Sequence, residues 1–441
     1  MATGIKVIAQ YYDIETGESL EEEVLGDGEV SRADTLIELG YRHVKQIEFL
    51  KKLQDFKIDK QMILHPPSIC PKCGLKARKH GLFNAKFHAV LTDHKVKVQR
   101  MTCRCGWSSG LSIEGIYGSA IHPDLLEKQA IQGAKESYEK SSKTLNAESA
   151  KKRAINSHSQ IYKSVKCVAQ TLEQIKCSDS YGQTAKPSHE LIVNIDGGHI
   201  KARGDNRSFE AMIATVHRPD SLTEVNKTHN KITSRSTVAS VKDDHQTTIK
   251  KLLKSACRAQ GMTKETILTC LADGAENCWS IAHAVEEDCQ KITYILDWFH
   301  IGMKFKNISI PTEFTKLYDK VKWHLWHGKP TTSLMRLNQL KALIEDDSIL
   351  GKSNKLGNYI TNNKGGITNY GSRKRARLCY TSQLAEPTAN TIINDRQKGK
   401  QKVQWTREGA HNVLQIRAAH HSGTWPQDWQ RIEKTLYHEA V

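Results

Sequence analysis

Residues 266–300 read TILTCLADGAENCWSIAHAVEEDCQKITYILDWFH. An apolar run, Ile267 to Ala272, delivers Asp273; a helix opens at Gly274 to Glu276; a second apolar run, Tyr294 to Leu296, delivers Asp297. Short apolar runs bounded by turn residues predict buried strands, and open α/β sheets bind their ligands at strand carboxyl ends. Both acids therefore stand where such a protein keeps its chemistry. Upstream, HELIVNIDGGH does the same: Leu191 to Ile195 delivers Asp196 to the pair Gly197-Gly198, which is expected to stop the strand. Carboxylates gathered this way suit a core that holds metal.

Working outward, the strand pattern continues through FEAMIATVH, residues 209–217, and a β-branched run around Ile232 to Val241. A helix in HQTTIKKLLKSACRAQG then leads into Ile267. Three strands, a helix, a strand, a helix and a strand is the order of an RNase H-like α/β domain with a mixed sheet. From Ile308 to Tyr380 the pattern is mostly helical, with Trp323 and Trp326 three apart on one face and expected to pack in the core rather than stack on a base. Ser178 to Ser188, SDSYGQTAKPS, reads as a polar linker and domain boundary.

The 441 residues are too many for one compact core. Lys and Arg exceed Asp and Glu by 17, the pI is near 9.3 and the mean hydropathy is −0.55. So basic a chain is expected to meet a polyanion, nucleic acid first. No run approaches the ~18 apolar residues of a membrane span, and the N-terminus lacks the pattern of a signal peptide. The expectation is a reducing cytosol, where eleven cysteines would serve metal rather than disulfides.

Cysteine pairs stand in CPKCG, Cys70 and Cys73, and thirty residues on in TCRCGW, Cys103 and Cys105. Four thiolates on two glycine-bearing turns fit a tetrahedral structural Zn²⁺, and the alternating segments between them suggest a zinc ribbon presenting Lys76, Arg78, Lys79, Arg100 and Arg104. Ahead of it, Ile5 to Tyr12 is a short apolar piece, Gly26 to Gly28 a turn, and Ser31 to Phe56 an amphipathic helix with Leu36, Ile37, Leu39, Val44, Ile47, Leu50 and Leu53 on one face. Behind it, Pro123 to Cys177 predicts two or three helices, in which a helix-turn-helix could set Lys151, Lys152 and Arg153 near phosphates.

Asp196 in NIDGG, Asp273 in LADGAENCW and the Asp-x-x-His of Asp297 and His300 resemble the catalytic domain of bacterial insertion-sequence DDE transposases, in particular the Mutator-like group. The likeness extends over roughly residues 190–425 and includes LAEPTANTIINDRQKGKQKVQW, in which Glu386 occupies the place of the final catalytic Glu. It implies an RNase H-like fold with a helical insertion, two Mg²⁺ or Mn²⁺ ions held by Asp196, Asp273 and Glu386, and support from Asp297 and His300. Two such ions can activate a nucleophile and stabilise a leaving 3′ oxygen. Glu313, Glu345 and Glu408 are the other candidates for the third acid, since Pro387 biases Glu386 away from helical dihedrals.

Double-stranded DNA, as transposon ends and target, is the expected partner, the chain acting as a homo-oligomer in the bacterial cytoplasm or nucleoid with no membrane. Arg373, Lys374, Arg375 and Arg377 before Glu386, and Arg396, Lys398, Lys400, Lys402 and Trp405 after it, are the expected contacts to phosphates and a stacked base. The expected division is residues 1–65 N-terminal, 66–120 ribbon, 121–180 helical, 189–308 catalytic core, 309–379 insertion and 380–441 last helices of the core. A nuclease or resolvase on the same fold, or an inactive DNA-binding descendant, are the alternatives.

Overall fold

The computed structural model describes residues 3–64, 68–109, 113, 119–149, 152–183, 185–204, 207–226, 229–382, 388, 390–398 and 403–437. The chain forms two units, residues 1–168 with 429–441, and residues 169–428. The protein is mixed α/β.

In the first unit β1 (Thr3–Tyr12) and β2 (Ser19–Val30) form an antiparallel hairpin whose register shifts between Val7 and Ile8. Gly26 and Gly28 lie inside β2, where a turn was expected. Glycine is needed at Gly26 because the Phe49 ring of α1 (His43–Leu64) occupies the space of a Cβ. That helix begins later than the sequence pattern predicts: Gly40 adopts φ +73°, and Leu36, 88% exposed, with Ile37 and Leu39, lies ahead of the helix in solvent. A second hairpin, β3 (Arg78–His88) with β4 (Asp93–Thr102), turns Ala85, Val96 and Val98 into a small core with Ile113.

Three helices follow, α2 (Pro123–Lys135), α3 (Tyr138–Ala147) and α4 (His158–Lys176). Pro123 opens α2 behind a His122 cap, and Ser137 caps α3 by accepting the Lys140 amide at 3.3 Å, as free N-terminal amides require. Gly133 lets α2 approach α4, since a Cβ there would lie 2.6 Å from Val165. Arg153, expected near phosphates, is instead buried: it pairs with Asp93 and donates to the carbonyls of Ala89 and Val90, both at 2.8 Å. Lys151 lies outside the described residues.

The second unit is built on β5 (Glu190–Lys201), β6 (Ser208–His217), β9 (Ser236–Ser240), β10 (Ile267–Ala272) and β11 (Lys291–Leu296), with a side hairpin of β7 (Leu222–Asn226) and β8 (His229–Ile232). The sheet order is β11-β10-β5-β6-β9; β10 is parallel to β5 and β11, while β6 is antiparallel to β5 and β9. Alternation along β5 serves two cores. Leu191, Val193 and Ile195 pack with α5 (Thr247–Ala259) and α6 (Glu276–Ala282). Ile192, on the other face, packs with α7 (Trp298–Lys306), α8 (Thr315–Trp326), α9 (Pro330–Lys341) and α10 (Asp347–Asn362), and Tyr370 of α11 (Tyr370–Arg375) joins them. Two helices near the C-terminus, α12 (Arg407–Ser422) and α13 (Trp425–Tyr437), close the chain; α12 lies along β9, where Gln415 donates to the Ala239 carbonyl at 2.8 Å.

Three expectations are adjusted here. The Gly-Gly pair does not end β5, which pairs with β6 as far as Lys201. Its glycines meet crowding instead: a Cβ at Gly197 would lie 2.7 Å from Glu210 Oε1, and one at Gly198 2.8 Å from Ile393. The Ser178–Ser188 stretch is fastened to the second unit by Arg258, which donates to the Ser178 and Tyr181 carbonyls at 3.1 and 3.3 Å, and by the Ser188 amide on Gly261. The two tryptophans part company: Trp326 packs against Trp298 and Tyr370, while Trp323 is 55% exposed.

Candidate metal centre and its surroundings

The parallel ladder aligns the three aspartates. Ala272 is level with Ile195 of β5 and with Leu296 of β11, so the next residue on each of three adjacent strands is an acid: Asp196, Asp273 and Asp297. Each is then fixed by local backbone. Asp196 Oδ1 accepts the Gly197 amide at 2.8 Å, and Asp273 Oδ1 accepts the Ala275 amide at 2.9 Å as α6 begins. Gly274 makes that turn with φ +93°, a conformation that suits glycine; a Cβ there would also strike Asn363 Oδ1 at 2.5 Å. The Tyr359 hydroxyl from α10 donates to the Asp273 carbonyl at 2.7 Å, tying that helix to the same corner.

Asp297 is fully buried and caps α7. Its Oδ1 accepts the amides of Phe299 at 3.0 Å and Ser382 at 2.9 Å, its Oδ2 accepts the Ser382 hydroxyl, and His300 Nε2 stands 3.6 Å from Oδ2. Both oxygens are committed, an arrangement for bracing. Asp196 differs: among the described residues only the Gly197 amide bonds its carboxylate. Burial first, then the nearby charges of Asp273 and Asp297, push its carboxyl above the usual range, against the opposing pull of His300 and the Gly197 amide.

A cleft at this corner is lined by Asn194, Asp196, Thr215, His300, Ser382 and Thr388, among others. Glu386 lies outside the described residues, as do Lys400 and Lys402. The described residues that flank it, Ser382 and Thr388, both line the cleft; Glu313, Glu345 and Glu408 do not. Among the described residues, the aspartates do not form a cluster with ligand atoms at metal-binding spacing, whereas the cysteines do.

Glu210 was not singled out from sequence. It faces His199 across the β5–β6 ladder, accepts from Asn277 Nδ2 at 2.6 Å, and its charge, with those of Asp273 and Asp196, helps burial push the Cys278 thiol well up. The available signal was a single acid inside the mostly apolar FEAMIATVH. Ser382, Thr388 and Tyr359 offered none, because they reach the corner only through the tertiary fold.

In the first unit the ligand atoms of Cys70, Cys73, Cys103 and Cys105 all lie within 4.8 Å of one another. Cys70 and Cys105 sulfurs are 3.6 Å apart and those of Cys73 and Cys103 3.5 Å, close to the ~3.8 Å edge of a tetrahedron with Zn–S near 2.3 Å. Each pair sits on a like turn: the Cys70 amide donates to Leu75 and the Cys103 amide to Trp107, both at 2.8 Å, with Gly74 and Gly106 at φ +70° and +85°. The backbone amide of Cys105 and the neighbouring thiols bring the Cys103 thiol down to about 7. These cysteines can hold a metal ion and are compatible with structural zinc.

The basic residues divide. Lys374, Arg375, Arg377 and Lys398 are exposed, while Arg373 is half-buried and donates to the Cys379 carbonyl at 2.7 Å. Trp405, expected to stack a base, is only 7% exposed: its backbone bridges to Ala202 at the end of β5, and the buried Arg396 guanidinium covers its ring at 4.6 Å. Both side chains are engaged in packing, which corrects their assignment as DNA contacts.

No helix among the described residues is long and apolar enough to cross a membrane. No curated protein matches the chain. Residues 118–435 match the model of an uncharacterised protein family, UPF0236, and since that match spans well over half of its length, the chain belongs to this family.

Proposed function

We propose that the second unit is an RNase H-like catalytic domain and the chain a DDE transposase that cleaves DNA at transposon ends and joins the 3′ ends to target DNA. The observation that carries the reading is the row of Asp196, Asp273 and Asp297 on three adjacent strands, within a sheet of order β11-β10-β5-β6-β9 in which β6 alone runs against the other four. That order, with α5 and α6 joining the strands, is the one the domain requires. Asp196 and Asp273 would hold divalent cations, and their donor chemistry fits: hard oxygen ligands, one oxygen of Asp196 uncommitted among the described residues, and a carboxyl raised by burial first and then by Asp273 and Asp297, a like-charge repulsion that a cation would relieve. Bound there, Mg²⁺ or Mn²⁺ would supply Lewis acidity to both the attacking and the leaving oxygen.

The chain's own residues do the rest. Asp297, braced by Ser382, keeps His300 beside the cleft, and Tyr359 holds the Asp273 turn. Glu386 completes the acid set in this reading, supported by the positions of Ser382 and Thr388 in the cleft. The four-cysteine cluster holds a structural Zn²⁺ in a ribbon, and the excess of 17 positive charges meets the DNA. The test is cleavage of duplexes carrying the element's own ends. Mg²⁺ or Mn²⁺ should release 3′-hydroxyl ends; Asp196→Asn, Asp273→Asn and Glu386→Gln should each abolish release, while Glu313→Gln, Glu345→Gln and Glu408→Gln retain it. Wild-type protein that binds the ends but cleaves none would defeat the catalytic reading.

A further inference from the structure

We infer that the outer face of the β3–β4 hairpin is a docking surface for the sugar-phosphate backbone of duplex DNA, an inference that rests on the DNA-directed reading above. The register sets Lys86 directly opposite Lys95 and Asn84 opposite Lys97. Since Ala85, Val96 and Val98 point inward and are buried, Lys86, Lys95 and Lys97 point outward, and all three are exposed. Like charges directly opposite one another weaken a strand pair. Among the described residues no carboxylate offsets them: Asp93 is taken by His88 and Arg153, and Asp55 by His94. A polyanion would remove the repulsion.

The form of the surface favours duplex over single strand. Single-stranded nucleic acid is held by aromatic rings that stack its bases, but the hairpin's own rings, Phe83 and Phe87, pack against the inner core. The outward residues are lysines, Asn84, Leu82 and Gln99, and the polar ones among them can contact phosphates without reading bases. The four-cysteine turns sit at the opposite end of this hairpin from His88 and Asp93, adjoining Arg78 and Thr102, and would hold its two strands in register under that load.

The test is fluorescence anisotropy of the full zinc-loaded chain with a labelled duplex of arbitrary sequence across a salt series. The Lys86→Gln/Lys95→Gln/Lys97→Gln variant should bind ~10–100-fold more weakly at low salt and lose ~2.7 from the log–log salt slope, ~0.9 per phosphate contact. Lys51→Gln/Lys52→Gln/Lys57→Gln on α1 removes equal charge and should leave that slope unchanged, and replacing the hairpin lysines by arginine should preserve binding. Zinc content and circular dichroism establish that each variant is folded. An unchanged slope in the hairpin variant overturns the inference, as does weakened binding to single strands with none to duplex. If the wild type binds no duplex at any salt, the proposed function fails as well; if it binds and the hairpin variant binds equally, only this inference fails.

Discussion

Asp297 and Asp196 are the same residue type one strand apart from Asp273, yet their surroundings divide the work between them. Asp297 is saturated by the Phe299 and Ser382 amides and the Ser382 hydroxyl, so it holds structure; among the described residues Asp196 is bonded only by the Gly197 amide, and the proposed function therefore gives the cation to it. Ser382→Ala should therefore cost about 1–3 kcal/mol by leaving a buried carboxylate short of a donor, read as a fall in melting temperature, with Asp297→Asn similarly affected. A second prediction concerns pH. Burial first, and then Arg235, holds the His217 imidazole down at about 4. Its folded-state value lies below the unfolded one, so its contribution is intact above about pH 6.5 and is lost as pH falls toward 4. Urea unfolding of His217→Asn should show a stability slope across that window flatter by up to about 3 kcal/mol; an unchanged slope would mean the imidazole is not the proton acceptor.

At the scale of elements, the corner depends on glycines whose reasons differ. Gly274→Ala places a Cβ against Asn363 in a left-handed turn and should cost about 2 kcal/mol or more while displacing Asp273; thermal melting and end cleavage should fall together. Gly198→Ala presses only on the Ile393 side chain, and a smaller loss is expected. The strands that deliver the three acids were legible because each is a short apolar run ending on a carboxylate. The helical character of the stretch after Ile308 was legible from its period. What the Gly197-Gly198 pair does was not, because its neighbours Glu210 and Ile393 come from a partner strand and from far along the chain. Arg153 and Arg396 look like any other basic residue in sequence; Asp93, sixty residues away, and the Trp405 ring decide that they are buried.

For the whole molecule, the two units have separate cores, and the first carries four thiols spaced to hold a metal ion, while the proposed function asks hard carboxylates of the second to do the same. The β3–β4 core is small, built on Ala85, Val96, Val98 and Ile113, so it needs a cross-link. Cys70→Ser should cost about one equivalent of bound zinc, and chelation should loosen the hairpin and weaken duplex binding while sparing the melting transition of the second unit. Calorimetry with metal analysis checks both.

The most direct measurement of the central claim is strand transfer: purified protein, precleaved ends with free 3′-hydroxyls and a supercoiled target, with Mg²⁺ or Mn²⁺ supplied. The account predicts joined products from the wild type and none from Asp196→Asn or Asp273→Asn, although both variants still bind the ends. Cleavage without joining would assign the fold to a nuclease or resolvase, and joining that survives both substitutions would contradict the account.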